Sequence, residues 1–118
     1  MKRDMDLIRN MLLLIEADSD VPPKTVKADT FLDLCDNPSM IALHLELLAD
    51  SGLVDLRKLP NGSYEVKRIT GAGYDYLDSV RSAKVWRNVK DRLSVVGGAS
   101  FEIIKAVAAE ELKKILLG

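Results

Sequence analysis

The sequence predicts a mainly α fold with a small β-wing, and three observations predict it. Apolar residues recur at steps of three and four along most of the chain, the spacing of helices that bury one face. One strong turn signal, Pro60-Asn61-Gly62, separates two short extended segments. Capping residues divide the remainder into helices: Asn37 ahead of Pro38, Thr70, and Ser100. The resulting order is helix, short strand, helix, helix, strand, strand, helices. That is the order of a winged helix-turn-helix with a C-terminal helical extension. The winged-helix core is expected over residues 1–82 and the extension, packed on the same domain, over 83–118.

The first helix is expected over residues 5–17, where Met5, Ile8, Leu12 and Ile15 define a face flanked by Leu7, Met11 and Leu14. Asp4 or Asp6 at its start suits the helix dipole. Asp18-Ser19-Asp20 and Pro22-Pro23 stop it. Thr25 to Lys27 reads as a short extended piece, and Asp29 or Thr30 caps a short helix through Phe31, Leu32 and Leu34. After Asn37-Pro38, Ile41, Leu45 and Leu48 share a helix face with Leu47 beside them, and Gly52 ends that helix. Leu53–Leu59 and Ser63–Ile69 are the hairpin strands. The helix after Thr70 carries Tyr74, Leu77 and Val80. The next, about Ala83 to Leu93, places Val85, Val89 and Leu93 together with Trp86 adjacent. Gly97-Gly98 reads as a hinge. Phe101, Ile104, Ala108, Leu112 and Ile115 are in register on the last helix.

Composition fits this reading. The 118 residues carry 17 basic and 18 acidic side chains, a net charge of −1, which excludes a globally basic polycation. The hydrophobic share of 47% is too high for a disordered chain. A single cysteine, Cys35, excludes an internal disulfide and a multi-thiolate zinc site. The longest unbroken apolar run is Met11 to Ile15, too short for a signal peptide or a spanning helix. A cytoplasmic protein with no membrane association is therefore expected.

Two segments carry a resemblance. Ile41-Ala42-Leu43-His44-Leu45-Glu46-Leu47-Leu48, followed by Ser51-Gly52-Leu53-Val54, resembles the third helix of bacterial winged-helix regulators and its exit. Ile69-Thr70-Gly71-Ala72-Gly73, followed by Leu77, resembles the step from wing strand to closing helix. A closer match adds the opening Met1-Lys2-Arg3-Asp4-Met5-Asp6-Leu7-Ile8-Arg9 and Val85-Trp86 with Val89-Lys90. On these residues the chain resembles a family of short bacterial and phage proteins catalogued as domain of unknown function 2513. The resemblance implies a winged-helix fold and a mobile-element setting, and no established activity. The chain departs from the family pattern at Tyr74, where a histidine or similar residue usually follows soon after the glycine.

Charge by segment is the most informative functional test, because DNA binding needs cations near phosphates. Residues 28–56 contain Asp29, Asp33, Asp36, Glu46, Asp50 and Asp55 and neither Lys nor Arg. The candidate base-reading positions there, Asn37, Ser39, Met40, Ala42, Leu43 and Glu46, include no cation, which argues against ordinary major-groove readout. The basic residues follow. Arg57, Lys58, Lys67 and Arg68 flank the hairpin turn and are the predicted phosphate contacts, with Arg81 and Lys84 assisting. Two readings stand: a phosphate-contacting surface on double-stranded DNA, or a solvated face paired with Asp75, Asp78 and Asp91. The rival function is a protein-interaction or oligomerisation module using Met40, Leu43 and Leu47, or the C-terminal helices.

Trp86 either anchors a partner or pins the added helix to the core. The last helix, with Leu112 and Ile115, either covers the core or pairs with a second copy, so a homodimer is expected. His44 reads as a core residue of the helix-turn-helix. With Cys35 it cannot form a metal site, and His44-x-Glu46 lacks the second histidine of a zincin. Asp18-x-Asp20 lacks the glycine and glutamate of a calcium loop. No nucleophile arrangement, cofactor motif or catalytic constellation is found, and no enzyme activity is expected.

Overall fold

The computed structural model describes residues 2–18, 26–94 and 100–118. The predicted stops at Ser19, Asp20, Pro22 and Pro23, and the hinge at Gly97-Gly98, lie outside the described residues. The chain is mainly helical with a small three-stranded antiparallel sheet, as predicted. Helix α1 spans Met5–Asp18, strand β1 Val26–Lys27, a 3-10 helix Ala28–Asp33 and helix α2 Pro38–Asp50. Strands β2 (Val54–Lys58) and β3 (Tyr64–Ile69) follow, then helices α3 (Gly71–Val80), α4 (Ala83–Leu93) and α5 (Phe101–Leu117). Two compact units divide the chain, Met1–Tyr74 and Asp75–Gly118, with α3 beginning in the first and ending in the second.

In the first unit the sheet order is β1-β3-β2, with β3 central and both pairings antiparallel. α1 packs on β3 and α2, and the 3-10 helix packs on α2, β1 and β3. Ile8, Met11, Leu12, Ile15, Val26, Phe31, Leu45 and Leu48 are all at most 1% exposed. Burying each such side chain is worth about 1.5–3 kcal/mol, so this apolar set dominates the unit's stability. Of the face predicted for α1, Ile8, Leu12 and Ile15 with Leu7 and Met11 form its core, while Met5 and Leu14 are half-buried. The 3-10 helix differs from expectation. It starts at Ala28, ahead of Asp29 and Thr30, with no side-chain cap, and only Phe31 is buried while Leu32 and Leu34 are exposed. In these two turns side chains three apart eclipse, so Phe31 shares its face with Ala28 and not with Leu32.

The helix boundaries follow from local chemistry. Asp4 Oδ1 accepts from Leu7 N–H at 3.1 Å and opens α1. Asn37 Oδ1 accepts from Ser39 and Met40 N–H at 3.0 and 3.3 Å, with Pro38 as the first helical residue of α2. At the other end Gly52 takes φ +73°, Gly52 N–H donates to Ala49 O and Leu53 N–H donates to Leu48 O. This is the paired bonding of a Schellman stop, with buried Leu48 and Leu53 as its apolar contact.

In the second unit α4 packs against α5. Ser82 and Ser100 cap the two helices through Val85 N–H and Ile103 N–H. Tyr76 and Phe101 meet edge to face with ring centroids 5.1 Å apart. On α3, Tyr76 is buried while Tyr74, expected on the apolar face, is 41% exposed. Among the described residues, no helix is long and apolar enough to cross a membrane.

Candidate functional site

The β2–β3 hairpin holds the four predicted wing cations, and its register decides what each can do. Leu59 N–H donates to Ser63 O at 2.7 Å and Gly62, at φ +86°, closes the turn. From the turn, Lys58 faces Tyr64, Arg57 faces Glu65 and Leu56 faces Val66. The register then slips between Leu56 and Asp55, so that Asp55 faces Arg68. Lys67 is the extra residue of a β-bulge. Residues directly opposite share a sheet face, so Leu56, Val66, Val54 and Ile69 lie on the core side. Arg57, Glu65, Asp55 and Arg68 lie on the other, and Lys67 and Arg68 are consecutive exposed cations.

Two of the four cations are held within the hairpin. Arg57 bridges to Glu65, which is 4% exposed, and Arg68 Nε lies 2.6 Å from Asp55 Oδ2. These are cross-strand opposite-charge pairs, which fix register as well as charge. Lys27 on β1 faces Glu65 from the other side. A buried carboxylate is tolerated here because cations flank it on both neighbouring strands. Among the described residues Lys58 and Lys67 have no acidic partner. In the second unit Arg81 bonds Asp78 at 2.8 Å across one helical turn, as the paired-face reading expects, and Lys84 is exposed without an acidic partner among the described residues.

α2 presents little to a base edge. Asn37 is occupied by capping, and Met40, Leu43 and Leu47 are half-buried. Glu46 and Asp50 are exposed, and Tyr64 OH donates to Glu46 Oε1 at 2.5 Å. That bond ties α2 to the central strand, and donating it to a carboxylate pushes the Tyr64 phenol above its usual range. His44 is fully buried. Its Nδ1 lies 2.7 Å from Met40 O, and its Nε2 accepts from Asp4 N–H at 2.8 Å. The two bonds require the neutral Nδ1–H tautomer.

The two sequence segments that carry the resemblance form one junction. Thr70 N–H donates to Leu53 O and Thr70 Oγ1 donates to Gly52 O, while Gly73 N–H donates to Thr70 Oγ1. The Gly73 backbone lies so close to Leu53 that a Cβ there would strike Leu53 O and come within 2.6 Å of Ile69 Cγ2.

Trp86 is 5% exposed, so it is not displayed as an anchor. Leu112 and Ile115 are 39% and 42% exposed, and Leu116 and Leu117 beyond them more so. Sequence reasoning missed Glu111. It is 6% exposed on α5 and accepts from Arg92 at 3.1 Å and Asn88 at 3.4 Å on α4, with Lys114 Nζ at 3.5 Å. Burial alone pushes this carboxyl up, but the Arg92 bond and the Lys114 charge outweigh it and hold it below the ordinary range. A glutamate in phase with Ile104 and Ala108 was the available signal. Among the described residues, no cluster of His, Cys, Asp and Glu could hold a metal ion.

The model of a family described as "Hypothetical protein (DUF2513)" matches residues 2–100. An "Uncharacterized protein" of Haemophilus influenzae is 29% identical over 120 residues, covering 98% of this chain and 99% of that protein. No solved structure matches the chain.

Proposed function

Because the chain belongs to the family described as "Hypothetical protein (DUF2513)", a description that names no activity, we propose a function from fold and charge alone. It is a non-enzymatic winged helix-turn-helix protein that binds double-stranded DNA through its hairpin, as a cytoplasmic transcriptional regulator of phage or mobile-element type. The winged-helix part is supported by the strand order β1-β3-β2, with α1 ahead of the sheet, two helices between β1 and β2, and a hairpin after them. The observation that carries DNA binding is the surplus of exposed cations on that hairpin. Lys58 and Lys67 lack acidic partners among the described residues, and Arg57 and Arg68 stand exposed beside them. Arg81 and Lys84 are assigned assisting phosphate contacts.

α2 lacks Lys and Arg altogether, which supports backbone contact over base readout. The test is fluorescence anisotropy of labelled random duplex DNA across a salt series. Saturable binding that weakens steeply with salt is expected, each phosphate contact adding about 0.9 to the log–log slope. Absence of binding at low salt, where screening is weakest, overturns the proposal.

A second reading is a protein-interaction or oligomerisation module that does not bind DNA. It is favoured by the exposed Leu112 and Ile115 on α5, and by the half-buried Met40, Leu43 and Leu47. Trp86, being buried, adds nothing to it.

A further inference from the structure

We infer that α5 is a self-association surface which takes the same helix of a second copy in antiparallel orientation. The inference does not rest on DNA binding.

The inward face of α5 is already covered from Ile104 to Glu111. Ile104, Ala108 and Glu111 are buried, and α4 packs against the helix. The opposite face carries Glu102, Ala106, Ala109, Lys113 and Leu116 at successive steps of four and three, all exposed. At 3.6 residues per turn these five form one stripe. Leu112 flanks it at 39% exposure and Leu116 is 73% exposed. A solvent-facing stripe with alanines at its middle and leucines at one end is unlike an ordinary polar outer face.

The charges choose the occupant and its direction. Glu110, Glu111 and Lys114 are already engaged, the first two by Arg92 and the last by Glu111. That leaves Glu102 at the start of the stripe and Lys113 near its end, neither with an ion-pair partner among the described residues. A parallel copy would set Glu102 on Glu102 and Lys113 on Lys113, two like-charge contacts. An antiparallel copy can place Glu102 opposite Lys113 twice. The same register brings Ala106 opposite Ala109, two small residues that let the helices approach closely at the centre. It also sets Leu112 opposite the exposed Ile103, while Leu116 extends past the start of the partner helix. The macrodipoles are then opposed, which is favourable. A single offset thus satisfies charge and size together. The matched family region ends at residue 100, one residue before α5 begins, so this surface lies beyond it.

The test is sedimentation equilibrium of the full chain. A reversible dimer is expected at high micromolar concentration. Lys113→Glu should weaken it at least about tenfold, since it creates two carboxylate contacts, and adding Glu102→Lys should restore it. In a Cys35→Ala background, an equimolar mixture of Ala106→Cys and Ala109→Cys chains should oxidise mainly to the mixed disulfide. Glu102, Ala106, Ala109 and Lys113 are exposed and Cys35 is half-buried, and circular dichroism verifies folding. A monomer at every concentration overturns the inference. So does a dimer indifferent to both charge reversals, or one whose cysteines couple 106 to 106.

Discussion

The backbone N–H of Asp4 donates to Nε2 of His44 at 2.8 Å, joining residues forty positions apart. Asp4 thereby does two things at once: its side chain caps α1 and its main chain is anchored to α2. His44 in turn holds its tautomer by the bond from Nδ1 to Met40 O, one turn back on its own helix. The only histidine of the chain is a fastener between the first two α-helices.

His44→Ala should destabilise the protein by about 2–4 kcal/mol, through a cavity and the Asp4 N–H left without its acceptor. His44→Gln, which can offer an acceptor to Asp4, should recover part of that. Urea unfolding at neutral pH measures both, and a His44→Ala variant within about 0.5 kcal/mol of wild type contradicts the assignment.

Gly73→Ala should destabilise by about 2 kcal/mol or more, because the added carbon meets the Leu53 carbonyl, which the Thr70 bond holds in place. Gly71→Ala, two residues earlier on the same helix and open on all sides, is the control. It should be neutral or stabilising by up to about 1 kcal/mol. Thermal melts of the two variants side by side check the contrast.

The wing residues should separate into two behaviours. Lys58→Ala and Lys67→Ala should leave stability within about 0.5 kcal/mol and each lower the salt slope of DNA binding by about 0.9. Arg57→Ala should cost about 1–2 kcal/mol of stability, because it strips the buried Glu65 of its bridge. Unfolding and anisotropy on the same three proteins decide the matter.

Glu111 gives a pH dependence with a definite sign. Its folded carboxyl is held below the unfolded value, so its contribution is present at neutral pH and lost as pH falls through the lowered pKa. The difference in Tm between wild type and Glu111→Gln should be largest near pH 7 and shrink on acidification.

Tyr64 gives the opposite sign. Its phenol is raised by the bond to Glu46, so that contribution is full below the unfolded value and disappears as pH rises through the folded one. Ultraviolet titration should show one tyrosine ionising earlier in Glu46→Gln than in wild type.

Much of the architecture is legible in the sequence because local chemistry and the global fold agree. Asn37-Pro38, Thr70 and Ser100 mark helix starts wherever they are read, and Pro60-Asn61-Gly62 admits little but a turn. The core face of α1 follows from period alone. What was not legible depends on register. Glu65 and Arg57 are eight positions apart, and nothing in Tyr64-Glu65-Val66-Lys67-Arg68-Ile69 says that one residue is skipped in pairing. Without that skip Lys67 rather than Arg68 would stand opposite Asp55. With it, two are fastened to carboxylates and two are not. Glu111 escaped for a related reason, since its partners Arg92 and Asn88 sit on another helix.

The bulge at Lys67 has a consequence for how such a hairpin changes over generations. Removing that one residue would leave Val66 opposite Leu56 and Arg68 opposite Asp55, every other partnership unchanged. The outward charge of the strand can therefore be gained or lost by a single-codon insertion or deletion, with no compensating substitution elsewhere. Related chains are expected to differ in length by one at this position while keeping both cross-strand ion pairs.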